Sequence, residues 1–170
     1  ERYSCFKKIL EIVNSRSLRC FIKLFTTKIS NEFLYSLKYK IREIMGLPRH
    51  ISLEEYHSEI ITFDSLSPDE YRSTMARSRI IIDTSPIHQS GLTARFMWAL
   101  GLGKKIITTN EDVRNYSFYS PDNIYIANTQ DISSDDIFDF IEKRDFITNR
   151  SFIDCFRIDN WLKTILSYNE

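Results

Sequence analysis

The residues best suited to chemistry lie in two polar segments, and each segment follows a short apolar run. The first segment comes after Ile80–Ile82 and the second after Ile106–Ile107. The candidate groups in these segments are Asp83, His88, Gln89, Ser90, Gly91, Leu92, Thr93, Arg95, Thr109 and Asn110. Hydroxyls, amides, a glycine and one guanidinium before a helical pattern are typical of a phosphate site, because a helix N-terminus carries unpaired N–H groups and partial positive charge.

Each group around the start of the predicted helix has a defined role in such a site. Gly91 lets the backbone approach a ligand closely, and residues 92–94 offer the N–H groups of the first turn. Thr93 adds a hydroxyl donor, and the guanidinium of Arg95 can bind a phosphate with two hydrogen bonds. The same residues also fit a purely structural interpretation, in which Ser90 caps the helix and Gly91 only turns the chain.

Helices and strands alternate along the whole chain. Apolar residues at helical spacing, or residues typical of helix caps, predict helices over 3–14, 31–45, 67–78, 91–101, 133–144 and 152–168. Short runs rich in Ile and Phe predict strands over 19–26, 59–63, 79–83, 105–109 and 123–127. We therefore predict one α/β domain over 1–170, a Rossmann-like parallel sheet with helices on both faces. The apolar stripe of the last helix, which includes Trp161, is expected to lie in the core.

The predicted sheet brings the two polar segments to one edge. Ligands of such sheets bind beyond the carboxyl ends of the strands, where the strand order reverses. Asp83, Thr109 and Asn110 all lie at carboxyl ends, so we expect one cleft. Asp83 either orients a ligand hydroxyl or accepts hydrogen bonds from the next turn at residues 84–85. His88 has a suitable ordinary pKa for a base, but a loop histidine also fits a surface position.

A resemblance to a known family rests on the centre of the chain. Gln89-Ser-Gly-Leu-Thr-Ala-Arg95, Ala99-Leu-Gly-Leu-Gly-Lys-Lys-Ile-Ile-Thr-Thr-Asn110 and Asn115-Tyr-Ser-Phe-Tyr-Ser-Pro-Asp-Asn-Ile124 resemble bacterial glycosyltransferases that build lipopolysaccharide and capsule. That family has the two-domain GT-B architecture, and the chain is similar to its second, donor-binding domain. The chain begins with Glu1 rather than Met, so we also expect an acceptor domain to precede it.

The resemblance implies a nucleotide-diphosphate sugar as donor substrate, with its diphosphate over the helix near Gly91. It also implies a saccharide or lipid-linked saccharide acceptor, no cofactor and no metal. The general base would belong to the missing domain, so no catalytic residue is assigned and the chain alone is expected to be inactive. Related transferases often carry an acidic residue that holds the ribose, and Trp98 stands at that position. An indole only donates hydrogen bonds, so the ribose would be held elsewhere or bound weakly.

Composition limits the partners. Residues 1–50 contain 11 Lys and Arg against 4 Asp and Glu, so their net charge is +7. This excess fits a contact with anionic lipid or another polyanion, a solvated surface, or a contact with a missing partner domain. No nucleic-acid motif, signal peptide, membrane span or metal-binding spacing of the three cysteines is present. We therefore expect a cytoplasmic protein with reduced cysteines, and peripheral contact with the inner face of the membrane stays one of the open interpretations.

Two further points stay open at this stage. Tyr116, Phe118 and Tyr119 either stack on a base or sugar or pack beneath their loop. The alternative function is a non-catalytic doubly wound α/β module used for partner contact, which Trp98 favours. A phosphotransfer receiver is disfavoured because Thr26-Thr27, rather than clustered acids, end the first predicted strand.

Overall fold

The computed structural model describes residues 2–47, 51–85, 91–128, 132–143, 153–154 and 156–167. Its internal contacts divide the chain into two compact units, with the boundary between Pro68 and Asp69. The prediction of a single domain over 1–170 therefore stays a prediction, and each unit is described separately.

The first unit contains three helices and a pair of short strands. In chain order its elements are α1 (Arg2–Ser15), β1 (Leu24–Phe25), α2 (Glu32–Ile44), α3 (Leu53–Tyr56) and β2 (Ile61–Thr62). β1 and β2 pair in parallel, with Leu24 opposite Ile61. Helix α3 was not predicted, although Ser52 and Glu55 form a complete capping box at its start.

Residues of α1 supply half of the buried apolar side chains described in the first unit. The buried side chains of this unit are Cys5, Phe6, Ile9, Val13, Ile22, Tyr56, Ile60 and Ile61. Four of them recur on α1 at helical spacing, so this helix buries the stripe that its sequence predicts. Helix α2 differs, because none of its residues is buried.

The second unit contains a three-stranded parallel sheet. Its elements are α4 (Pro68–Arg77), β3 (Ile80–Asp83), α5 (Ala94–Gly101), β4 (Lys105–Thr108), a 3₁₀ helix (Glu111–Asn115), β5 (Ile124–Ile126), α6 (Ser134–Glu142) and α7 (Ile158–Ser167). The strand order is β3-β4-β5 and both pairs are parallel. Ile106 lies opposite both Ile81 and Ile124, so the Ile-rich runs form the centre of the sheet.

The core of this unit lies between the sheet and α5. Its buried members are Met75, Ile81, Phe96, Ala99, Leu100, Ile106, Val113, Phe118 and Ile124. Phe96, Ala99 and Leu100 recur at helical spacing, which explains why this stretch is helical and which of its faces packs on the sheet.

The predicted α/β class and the parallel pairing are confirmed. One continuous sheet is not observed among the described residues, which form two small sheets instead. The strand order within β3-β4-β5 follows the chain, so the expected reversal beside the candidate site is not seen in this sheet. Parallel neighbours joined by one helix each are the simplest way to build three consecutive strands.

Two helical predictions need correction. The predicted helix over 91–101 begins only at Ala94, because Thr93 is its cap residue. The expected core position of the last helix is wrong, since no residue of α7 is buried and Trp161 is 53% exposed. Among the described helices, none is long and apolar enough to cross a membrane.

Candidate functional site

The carboxyl ends of β3 and β4 lie side by side. Asp83, the last residue of β3, is opposite Thr108, the last residue of β4. The predicted meeting of the two polar segments is therefore observed for Asp83, Gly91, Thr93, Arg95, Thr109 and Asn110, which are joined by the contacts below. His88, Gln89 and Ser90 lie outside the described residues.

Asp83 is the centre of this arrangement. Its side chain is only 1% exposed, and its Oδ1 accepts a hydrogen bond from Thr93 Oγ1 at 2.7 Å. Arg95 Nη1 lies 3.7 Å from the same oxygen, and the Arg95 side chain is 41% exposed. A buried carboxylate needs hydrogen bonds and an opposite charge to offset its lost hydration. Thr93 and Arg95 supply both, so they fasten the start of α5 to the end of β3.

Thr93 has two structural tasks. Its hydroxyl donates to Asp83 and also accepts a hydrogen bond from Phe96 N at 3.0 Å. The second bond is that of a helix N-cap. The alternative interpretation, in which Ser90 caps this helix, is therefore wrong, because Thr93 is the cap residue. In this arrangement the Thr93 hydroxyl proton is directed to Asp83 rather than to a ligand.

The first turn of α5 is displaced from its predicted place. Its N–H groups belong to Ala94, Arg95 and Phe96, rather than to residues 92–94 as predicted. Phe96 N is bound by Thr93, whereas the N–H groups of Ala94 and Arg95 have no hydrogen-bond partner among the described residues. These two amides and the Arg95 guanidinium are the groups that remain suited to an anion.

Gly91 is not required by the fold itself. It is exposed, its φ angle is not positive, and a Cβ atom built on it would meet no atom within 4 Å. By contrast, Gly103 has a φ of 65° directly after the end of α5, where a side chain would be strained. No described contact therefore requires a glycine at 91.

Side chains after β4 brace the loops around Asp83. Thr109 Oγ1 accepts a hydrogen bond from Ser85 N at 3.0 Å, so the Ser85 amide does not cap the Asp83 carboxylate as one interpretation expected. Asn110 is 5% exposed, and its Nδ2 donates to Gly91 O at 3.2 Å. Its Oδ1 accepts from Asp112 N at 3.0 Å and caps the 3₁₀ helix. Thr109 and Asn110 therefore hold the loops around Asp83 in position.

The site carries one exposed cation beside one buried anion. A phosphate would be attracted by Arg95 and the α5 amides, and repelled by the Asp83 carboxylate unless a hydroxyl lies between them. The Ser85 hydroxyl is buried and has no hydrogen-bond partner among the described residues. The arrangement can therefore bind a molecule that has both anionic oxygens and hydroxyl groups.

No metal site is found in the described part of the chain, and the Thr93 hydroxyl, which donates to the Asp83 carboxylate, also caps α5. No three His, Cys, Asp or Glu side chains there come close enough to hold a metal ion. Asp135 and Asp136 lie in the first turn of α6, where negative charge is favourable.

Trp98 lies one helical turn beyond Arg95, on the solvent side of α5. Its side chain is 51% exposed, and its ring meets the edge of Tyr71 with centroids 5.5 Å apart. No other described ring contacts it. This exposed indole occupies the position where the resemblance would require an acid.

The aromatic residues after the 3₁₀ helix pack beneath their loop. Phe118 is 3% exposed, and Tyr116 stacks on it with centroids 5.1 Å apart. Tyr119 is partly buried against the same core. The packing interpretation of these residues is therefore favoured over stacking on a ligand.

Sequence reasoning missed the link between Asp83, Thr93 and Arg95. The only available signal was Thr93 three residues before Phe96, which is the spacing of an N-cap. Nothing in the sequence indicated that the same hydroxyl would reach a carboxylate ten residues earlier, because that contact depends on how α5 packs on the sheet.

Comparison with known proteins identified no relative of this chain. No family model, no curated protein and no solved structure was found to match the chain. The resemblance to glycosyltransferases therefore stays a prediction.

Proposed function

We propose that this chain is a Rossmann-like donor-binding domain of a metal-independent glycosyltransferase, and that it binds a nucleotide-diphosphate sugar at the start of α5. The observation that carries the proposal is the convergence of Arg95, the α5 amides and buried Asp83 beside the ends of two parallel strands. Parallel sheets bind ligands at this edge, and helix N-termini there bind phosphates.

Each group has a role in the proposed complex. The N–H groups of Ala94 and Arg95 and the Arg95 guanidinium bind the diphosphate. Asp83 accepts a hydrogen bond from a hydroxyl of the ribose or sugar, which keeps its charge away from the phosphates. Gly91 leaves room for the ligand beside the loop. His88, Gln89 and Ser90 stay candidates by sequence.

The reaction would displace the nucleotide by a hydroxyl of a saccharide or lipid-linked saccharide acceptor. The bond from the anomeric carbon to the diphosphate breaks, and negative charge develops on the leaving diphosphate. Hydrogen bonds from fixed donors stabilise such charge, and this is the function of the α5 amides and Arg95. The base that removes the acceptor proton would belong to another domain, so this chain binds donor without turning it over. Nucleotide sugars for lipopolysaccharide or capsule would be used in the cytoplasm.

Calorimetric titration with uridine and guanosine diphosphates tests the proposal. We expect binding of at least one diphosphate, and weaker binding of the matching monophosphate. Arg95→Gln should weaken binding by about tenfold, which corresponds to ~1.4 kcal/mol for one lost charged contact. Arg77→Gln, which removes an exposed arginine from the last turn of α4, is the matched control and should leave affinity unchanged. Indifference of the chain to every nucleotide diphosphate would argue strongly against the proposal.

Asp83→Asn separates two roles of the carboxylate. If Asp83 accepts a ligand hydroxyl, the nucleotide sugar should bind more weakly to the variant, because an amide has only one acceptor oxygen. If Asp83 only holds Arg95, the variant should bind inorganic pyrophosphate more tightly than the unchanged chain does.

A second candidate function is a non-catalytic α/β module that binds another protein through α5. The exposed faces of Trp98 and Leu102 favour it, since Trp is enriched where interfaces form. Under this function Arg95→Ala would leave all binding unchanged, whereas Trp98→Ala would abolish partner binding.

A further inference from the structure

Helix α2 turns its apolar residues away from the rest of its unit. At 100° per residue, five large apolar side chains of α2 and that of its cap residue Met45 occupy an arc of about 120°. Every one of them is between 46% and 86% exposed; they are Phe33, Leu34, Leu37, Ile41, Ile44 and Met45. An amphipathic helix of a folded core buries such a stripe, so a contiguous exposed stripe marks a contact surface.

The polar side of α2 makes the contacts with the rest of its unit. Tyr35, Ser36 and Tyr39 are partly buried on that side. Tyr35 donates a hydrogen bond from its hydroxyl to Ile51 O at 2.6 Å, and desolvation raises its pKa. The orientation of the helix is therefore determined by its polar residues, and the apolar stripe points outward as a result.

The helix is well formed without burying that stripe. Asn31 caps its start by accepting a hydrogen bond from Leu34 N at 3.0 Å. Glu32 lies in its first turn and Arg42 in its last, which is the favourable order for the helix dipole. Gly46, with a φ of 64°, follows its end. The exposed stripe is therefore presented on a stable element.

Charged residues are arranged around the stripe in a specific order. Lys38 and Lys40 lie about 20° beyond its two opposite edges, whereas Glu32 and Glu43 lie on the far side of the helix. Neither lysine has a salt bridge within the described ranges. Lysines at the edge of an apolar stripe keep their aliphatic stems in apolar surroundings and extend their ammonium groups into polar ones.

We propose that α2 lies in the interface of a lipid membrane that contains anionic phospholipids, with the stripe among the acyl chains and Lys38 and Lys40 at the headgroups. An apolar face with basic edges and acids on the opposite side is the pattern of helices that lie on membranes. The net charge of +7 over residues 1–50 adds attraction to anionic headgroups. The proposal does not depend on the nucleotide site.

A second copy of the chain is a poorer occupant of this face. Two α2 helices packed stripe to stripe would place lysines of one copy beside lysines of the other, in either relative direction, because both edges are basic. Like charges in contact disfavour that pairing. Lipid headgroups carry the opposite charge and therefore complement both edges at once.

Flotation of the chain with lipid vesicles tests the proposal. We expect the chain to float with vesicles of phosphatidylcholine and phosphatidylglycerol at a ratio of 7:3, and much less with phosphatidylcholine alone. Binding to the anionic vesicles should weaken as salt increases, because headgroup attraction is screened.

Paired substitutions then locate the contact on α2. Leu37→Glu with Ile44→Glu should abolish flotation, since both side chains would carry charge into the acyl region. The control is Leu66→Glu with Leu102→Glu, which adds the same two charges at exposed leucines outside α2 and should leave flotation unchanged. Circular dichroism and the melting temperature check that both variants are folded.

A second pair tests the basic edges. Lys38→Gln with Lys40→Gln should weaken binding to anionic vesicles by about fivefold for each lysine, and should not change the small binding to neutral vesicles. Lys163→Gln on α7 is the control, and it should bind as the unchanged chain does.

Three results would overturn the proposal. The unchanged chain could fail to float with anionic vesicles, or the Leu37/Ile44 variant could float as well as the unchanged chain does. Light scattering could also show a dimer that dissociates in the Leu37/Ile44 variant, which would show that a second copy covers the face.

Discussion

At the scale of single residues, the candidate site is organised by one buried carboxylate. Asp83 would be unfavourable at 1% exposure without its partners, and Thr93 and Arg95 are placed to compensate it. Asp83, which the sequence predicts as a ligand-binding residue, therefore also holds the start of α5 in place. Its two roles are compatible, because Arg95 is exposed enough to move toward a phosphate while Thr93 stays bound.

Thr93→Val tests the structural role of this hydroxyl. The substitution removes the N-cap of α5 and the hydrogen bond to Asp83 while keeping the side-chain volume. We expect the free energy of unfolding to fall by about 2–3 kcal/mol. Thr93→Ser keeps both bonds and should lose less than about 1 kcal/mol. Urea denaturation measures both values, and equal losses in the two variants would contradict the assignment.

The pair Arg157 and Asp159 offers a test by pH. Arg157 Nε and Nη2 each lie 3.1 Å from a carboxylate oxygen of Asp159, and this bidentate hydrogen bond lowers the pKa of Asp159 from its ordinary value of 3.8. Carboxyl-carbon resonances followed by nuclear magnetic resonance should titrate below 3.8 in the unchanged chain. Arg157→Gln should move the titration upward, and Lys163→Gln should not move it.

The sign of the stability effect follows from that direction. A lowered pKa in the folded state means that the pair stabilises the fold above the ordinary carboxyl pKa. The contribution is lost as the pH falls through the lowered value. The difference in stability between the unchanged chain and Arg157→Gln should therefore be constant near neutral pH and disappear in strong acid. A difference that grows on acidification would contradict the assignment.

At the scale of elements, one buried lysine joins the sheet to α6. Lys105 in β4 is 2% exposed, and its Nζ donates to Phe140 O at 2.6 Å and to Lys143 O at 2.7 Å. The same ammonium lies 4.7 Å from the centroid of the Phe140 ring. A cation at the end of a helix binds its unpaired carbonyls and complements its dipole.

Lys105→Met should therefore weaken the attachment of α6 to the sheet, although an apolar side chain suits this buried position. Methionine fills a similar volume but leaves both carbonyls without this donor. We expect the free energy of unfolding to fall by about 2–4 kcal/mol. Lys104→Met is the matched control, since Lys104 is more exposed and its ammonium donates to one carbonyl, Ala76 O, among the described residues. Its cost should be about 1 kcal/mol or less. Thermal unfolding followed by circular dichroism compares the two variants.

At the scale of the whole molecule, the two units differ in how much of their structure is supported by a core. The three-stranded sheet of the second unit has a buried residue at the middle of each strand or beside it, including Ile81, Ile106 and Ile124. Within its described residues, the first unit has a two-stranded pair, in which Phe25 is 60% exposed. Isolated two-stranded pairs are marginally stable.

Hydrogen exchange should reveal this difference. The amides of β3, β4 and β5 are expected to exchange most slowly, because they open only when the second unit unfolds. The amides that join β1 to β2 should exchange faster, since local opening exposes them. Equal protection of the two sheets would show that the units unfold together.

The sequence by itself determined the local structure of this protein. Alternating apolar runs and cap residues predicted every strand that the structure describes, the parallel pairing and most helices, because period and capping are properties of neighbouring residues. They also placed Asp83, Arg95 and Asn110 at one rim, since carboxyl ends of parallel strands share an edge.

Only the tertiary structure decided which of these local features meet. The start of α5 at Ala94, the bond from Thr93 to Asp83 and the division into two sheets depend on packing between segments far apart in sequence. The apolar stripes of α2 and α7 have the same helical spacing as the stripe of α1, yet only α1 buries its stripe. The spacing of apolar residues predicts which of them share a face of a helix. Whether that face lies against the core or in solvent depends on the contacts that the helix makes with distant segments.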